Sequence, residues 1–203
     1  MKLPVRICLL MVGGREWTGG TEYTRNLILS LGRLEQSQRE RFRICLLCPR
    51  EKDGPFIQEV KPFVDEVCYT RDCLAAATPL NRAQWRLRRS LLGEGNPRLE
   101  EFMRREKIDF AYPYNWTGWG TSAMRSAAWL YDFQHKHLPE LFTQHELDKR
   151  NSRFGLIAQR APKVVVSSEA ARKDFADSFS EYLHKVRVLR FHTVPGRQWF
   201  SGN

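Results

Sequence analysis

Short apolar runs alternate along the chain with amphipathic or polar segments, the first reading as strands and the second as helices. Strands are predicted at Val5–Val12, Phe42–Cys48, Glu66–Tyr69, Asp109–Tyr112, Ala127–Tyr131, Lys163–Val166 and Val186–Leu189. Helices are predicted between them at Thr21–Leu34, Phe56–Lys61, Asn81–Leu92, Pro97–Glu106, Thr121–Arg125, Gln144–Arg160 and Glu169–Tyr182. Strands joined through helical crossovers make a parallel sheet, so the pattern predicts an α/β, Rossmann-like, doubly wound domain with about seven strands. Asn96 before Pro97 and Ser168 before Glu169 supply helix caps. The domain is expected to fill residues 1–195, leaving 196–203 as a tail or the start of a linker.

Composition narrows the class. At 203 residues and 42% apolar, the chain suits one soluble domain, and no apolar run approaches the ~20 residues of a membrane-spanning helix. The opening MKLPVRICLLMVGG imitates a signal peptide, but Arg6 interrupts the run and a glycine turn replaces the cleavage site. The five cysteines mostly sit inside apolar strand-like runs, which fits buried thiols in a reducing, cytoplasmic compartment. Cys45 and Cys48 form a C-x-x-C whose intervening Leu-Leu belongs to a strand instead of a turn, so no metal is expected.

The net charge of +10 predicts attraction to polyanions. Part of it clusters in NRAQWRLRRSLL, where Trp85 and neighbouring leucines are flanked by Arg86, Arg88 and Arg89. Such a helix either packs its stripe on its own sheet or makes the domain a non-catalytic module that docks on anionic lipid at the inner membrane face or on a protein partner. Nucleic acid is an unexpected partner, because no zinc-finger, homeodomain or RNA-recognition pattern accompanies the arginines.

Chemistry-bearing residues gather at three predicted strand ends. Gly13, Gly14, Gly19 and Gly20 lie between the first strand and first helix, where bare backbone and unpaired amides suit a phosphate or sugar hydroxyl. A plain tight turn explains them equally, and neither the G-x-G-x-x-G fingerprint nor its acidic partner is present, which disfavours NAD. After the fourth strand, Asn115, Trp116, Thr117 and Trp119 offer the aromatic faces and polar groups of a sugar site, with a core-capping loop as the alternative. The fifth strand discharges into Asp132, Gln134, His135 and His137, with acid/base groups in no recognised zinc spacing. Asp132, His135 and His137 are the expected catalytic residues, while Trp17 and Gln134 join the expected acceptor contacts.

MVGGREWTGGTEYTRNL, YDFQHKHLPELFT and VVVSSEAARKDF, in that order, resemble the N-terminal domain of glycosyltransferase family 4, a two-domain GT-B group. The resemblance implies retaining transfer of a sugar from a nucleotide-diphosphate donor, without a bound metal or covalent cofactor, to an acceptor held by this domain. It implies that Gly19 and Gly20 edge the interdomain cleft and that Asp132 stands beside the reacting centre. Many members carry His-Asp where this chain has Tyr131-Asp132, so His135 or His137 would have to supply the histidine contact. The family's nucleotide site and E-x7-E element belong to a second domain that would begin near Asn203, so this chain alone is expected to be inactive until that domain joins it in cis or in trans.

Overall fold

The computed structural model describes residues 4–14, 17–49, 54–116, 118 and 125–195. The elements run β1 (Val5–Leu10), α1 (Thr18–Gly32), α2 (Gln36–Arg39), β2 (Phe42–Cys48), α3 (Pro55–Val60), β3 (Glu66–Tyr69), α4 (Thr70–Cys73), α5 (Pro79–Leu92) and α6 (Pro97–Arg105). They continue β4 (Phe110–Tyr112), β5 (Arg125–Ser126), β6 (Ala128–Leu130), α7 (Gln134–His137), α8 (Gln144–Arg160), β7 (Val164–Val166), α9 (Glu169–Phe179) and β8 (Val186–Val188). The capping chemistry anticipated at Asn96 and Ser168 is present, and Thr143 with Glu146 adds a capping box at the start of α8.

Every strand pairs parallel with its neighbours, in a five-stranded sheet of order β3-β2-β1-β4-β5 and a three-stranded sheet of order β6-β7-β8. The sequence predicts about seven strands in one sheet, whereas the structure has eight in two among the described residues. The break falls at Ala127, inside the run predicted as one strand. Its N–H still bonds Ala111 on the β4 side, while Ala128 already bonds Lys163 on the β7 side. β4 stops after three residues because Pro113 follows it and has no N–H to extend the ladder. Asn115 fills the gap: its amide donates to the Trp129 carbonyl (3.1 Å) and accepts the Trp129 N–H (2.8 Å), where a strand neighbour would stand. Of the segment predicted as a helix over Thr121–Arg125, residues 121–124 lie outside the described residues and Arg125 belongs to β5.

Alternation along the strands sends side chains to two faces, and both are covered. Leu9, Ile44, Leu46 and Cys48 pack against α1 and α3 in a core that extends to Trp129 and Val165. Cys8, Leu10, Cys45, Leu47 and Cys68 pack under α6. Ala128, Leu130, Val164 and Val166 meet Phe154, Ile157 and Phe175 of α8 and α9. Cys45 and Cys48, an odd number of residues apart, therefore face opposite cores. Burial pushes the Cys48 thiol up to about 12.

Candidate functional site

β1 and β4 are adjacent, but the sheet grows from β1 towards β2 and from β4 towards β5. Loops leaving such a divide part in opposite directions and open a crevice at the strands' carboxyl ends. Here the crevice is a cleft of about 460 Å³ between the β1 loop, the β4 loop, the end of β6 and helix α8.

The β1 loop contributes Met11, Val12 and Gly13 to the lining. Gly13 has φ +96°, and a Cβ there would stand 2.2 Å from the Thr21 backbone nitrogen; a Cβ on Gly20 would stand 2.8 Å from the Gly13 nitrogen. Loop and helix start therefore touch backbone to backbone, an approach that only glycine allows. Gly14 donates its N–H to Thr21 Oγ1 at 3.0 Å, anchoring the loop on α1. Gly19 sits exposed in the first turn of α1, which has no side-chain cap.

Aromatic rings form much of the cleft. Trp129 is fixed by Tyr23, stacked at 3.8 Å and 10°, and by a 2.9 Å hydrogen bond from its Nε1 to Ser167 Oγ. Trp17 lies nearly parallel to Trp129 at 5.8 Å and leans on Tyr131 at 4.9 Å. Trp116 is 46% exposed and tilts against Tyr114, whose hydroxyl donates to buried Glu100 at 2.6 Å. Burial pushes the Tyr23 hydroxyl up to about 12 and Tyr112, its hydrogen-bond partner, up as well, so both stay neutral.

Helix α8 supplies the charge. Glu146, Lys149, Arg150, Arg153, Phe154 and Ile157 line the cleft at helical spacing, so one stripe is charged at its start and apolar where it enters the core. The Glu146 carboxylate accepts from Thr143 N–H and hydroxyl, which holds it below the usual carboxylate range. Lys149, Arg150 and Arg153 make no ion pair among the described residues. Arg150 stacks over the Phe142 ring at 4.6 Å, and its buried Nη1 has no hydrogen-bond partner among the described residues. An apolar aromatic floor with three cations beside a single carboxylate can hold a ring bearing an anionic group.

The expected residues distribute unevenly around this cleft. Gly13, Trp17, Asn115 and Trp116 line it, although the Asn115 amide is already committed to Trp129. Gly14 and Gly20 shape its loop. Thr117 and Trp119 lie outside the described residues. Asp132 caps the turn into α7, accepting the Gln134 N–H at 3.1 Å, and neither residue lines the cleft. His135 is 2% exposed, set among Phe133 and Phe154, and burial lowers its pKa. Among the described residues neither ring nitrogen makes a hydrogen bond of normal geometry, although the Asn151 side chain acts on the ring. His137 is exposed and pairs through Nε2 with Asp174 Oδ1 at 2.9 Å. The expected histidines thus stand outside the cleft, turned away by the short helix α7.

The cleft's cations escaped the sequence reading, which weighed the denser arginine cluster of α5. Their signal was legible: Lys149, Arg150 and Arg153 share a face of the helix that follows the fifth strand. On α5, Trp85 turns inward, its Nε1 donating to Glu101 with Arg98 over its ring, and Arg88 is tied to Glu94. Arg86 and Arg89 remain exposed.

Comparison with protein-family models and with curated proteins gave no match. Among solved structures the chain is similar to a mutant of Thermobaculum terrenum O-GlcNAc transferase, at a TM-score of 0.37 and 11% identity over 98% of this chain. The chain spans 46% of the length of that protein. No helix among the described residues is long and apolar enough to cross a membrane.

Proposed function

We propose that this chain is the acceptor-side domain of a retaining, family 4-like glycosyltransferase of the cytoplasm, moving a sugar from a nucleotide-diphosphate donor to an acceptor. The observation that carries the reading is the cleft at the β1/β4 divide, where indoles of Trp17 and Trp116 stand with the cations of α8. Indole faces suit the C–H face of a sugar ring, and the cations suit a phosphate. The glycine loop brings bare backbone to the same place, as transfer next to a departing diphosphate requires. A second α/β domain, in cis or in trans, supplies the nucleotide side and most of the stabilisation of the leaving group. Asp132, beside the cleft wall residue Tyr131, is the nearest of the expected catalytic groups in sequence and remains the first to replace.

The test is a transfer assay with nucleotide-diphosphate sugars and candidate acceptors, using the chain alone and then mixed with a family 4 C-terminal domain. Transfer only in the mixture is expected. Turnover by the chain alone at ordinary enzyme rates, or no binding of any sugar by either sample, contradicts the reading.

A second reading has its own observation. α5 buries none of its residues and exposes Leu80 (78%), Leu87 (58%) and Leu91 (64%) beside Arg86 and Arg89. This apolar stripe with flanking cations complements an anionic lipid surface, so the module docks there without catalysis.

A further inference from the structure

The sheet register assembles a second group of chemistry-bearing side chains, on the face covered by α6. Cys8, Cys45 and Glu66 are register partners across β1, β2 and β3, and Cys68 stands two residues further along β3. Register partners and alternate residues share a sheet face, so these side chains converge. Cys45 Sγ lies 3.5 Å from Cys68 Sγ, and Cys68 Sγ lies 3.4 Å from Glu66 Oε1. The ligand atoms of Cys45, Glu66 and Cys68 all fall within 4.8 Å of one another.

Those separations carry chemical information. Two thiolates on one tetrahedral zinc, each about 2.3 Å from it, stand ~3.8 Å apart, and a thiolate and a carboxylate oxygen stand ~3.6 Å apart. The Cys45–Cys68 and Cys68–Glu66 separations are therefore close to those a shared ion would set, and the third lies within 4.8 Å. Glu66 is also divided in use: Oε1 faces the thiol, while Oε2 accepts from Arg6 Nη2 at 2.8 Å. A partner on the outer oxygen fixes a carboxylate as a one-oxygen ligand. A cavity of about 350 Å³ lined by Arg6, Arg43, Cys45, Asp65 and Glu66 adjoins the group and gives an ion a way in.

We propose that Cys45, Cys68 and Glu66 bind a thiophilic divalent cation of the zinc type, with water from the adjoining cavity in the fourth position. Two sulfurs and one oxygen suit zinc and exclude magnesium and calcium, which take oxygen ligands. Binding replaces the two thiol protons, which pass to solvent, with two metal–sulfur bonds. The site shares no lining residue with the cleft. Its effect is to clamp the four-residue edge strand β3 onto β2. The sequence leads to no metal, from the strand-like C-x-x-C of Cys45 and Cys48, from histidines in no zinc spacing and from the family resemblance; the proposed site departs from that expectation because the thiol that meets Cys45 comes from the next strand.

The test titrates the whole 203-residue chain, reduced and freed of metal, with Co²⁺ as a spectroscopic substitute for Zn²⁺. Thiolate-to-cobalt charge-transfer absorption is expected to saturate at one equivalent and to vanish when Zn²⁺ is added. Cys45→Ser and Cys68→Ser abolish the band, and Cys48→Ser retains it. Glu66→Gln, at a half-exposed side chain whose amide can still bond Arg6, weakens cobalt binding by about 10-fold or more. No charge-transfer band in the unaltered chain overturns the proposal, as does unchanged cobalt affinity in Glu66→Gln.

Discussion

Replacing Asn115 with alanine separates a structural role from a binding role at the same wall of the cleft. The Asn115 amide satisfies both the N–H and the carbonyl of Trp129, a residue 1% exposed, at the seam between the two sheets. A buried donor or acceptor left without a partner costs about 1–3 kcal/mol, so two orphaned groups set a range of about 2–6 kcal/mol. Asn115 also lines the cleft, so water reaches the vacated place and the lower end applies, about 2–3 kcal/mol. With a urea slope of ~3 kcal/mol/M for a chain of this size, the unfolding midpoint falls by roughly 0.7–1 M. Urea unfolding followed by tryptophan fluorescence measures it, with Trp116→Ala as the companion. Trp116 is half exposed and its side chain makes no such bonds among the described residues, so its loss is expected to cost ligand binding and little stability. A midpoint within ~0.2 M of the parent for Asn115→Ala, well below the shift expected from orphaned backbone groups, refutes the bridging role.

Gly13→Ala places a Cβ against the backbone of α1 at a positive φ, and the loop must move; a loss of about 2–4 kcal/mol is expected in the same urea assay. Burial lowers the His135 pKa, so below the ordinary value of 6.5 the unfolded chain takes up a proton that the folded chain resists. Stability from this group is therefore complete above that value and is lost as pH falls towards the lowered one; His135→Leu flattens the profile between pH ~7.5 and ~5, measured by unfolding midpoints. If α5 docks on lipid, Leu87→Ser with Leu91→Ser abolishes sedimentation with anionic vesicles, while Arg86→Ala with Arg89→Ala makes it weaker and less salt-dependent. Sedimentation unchanged in both pairs removes the docking reading.

Much of the fold was legible because a parallel sheet buried on both faces leaves continuous apolar runs: Phe42–Cys48 and Glu66–Tyr69 are strands as read. The helices capped by Asn96, Thr143 and Ser168 were equally plain. The division at Ala127 was not, since it depends on which neighbour each backbone group finds, and a side-chain bridge such as Asn115 has no periodicity. The placement of the histidines was hidden for a related reason. Their place after a strand suggested a cleft, but the single turn of α7 rotates His135 into an aromatic core and His137 towards Asp174. The thiol group shows the same limit, because only the register brings Cys45 to Cys68.

The central claim is that the cleft between the β1 loop and α8 binds a sugar carrying phosphate. Trp17, Trp116 and Trp129 line it, so tryptophan fluorescence reports occupancy directly. Titration with a hexose phosphate and a nucleotide-diphosphate sugar should quench that fluorescence, whereas the unphosphorylated hexose should bind far more weakly. Hydrogen bonds to charged groups contribute about 1.5–3 kcal/mol each, so Arg150→Ala or Arg153→Ala should raise the Kd by roughly 10- to 150-fold. Equal Kd values in the parent chain and both variants, or no quenching by either phosphorylated sugar, would contradict the account.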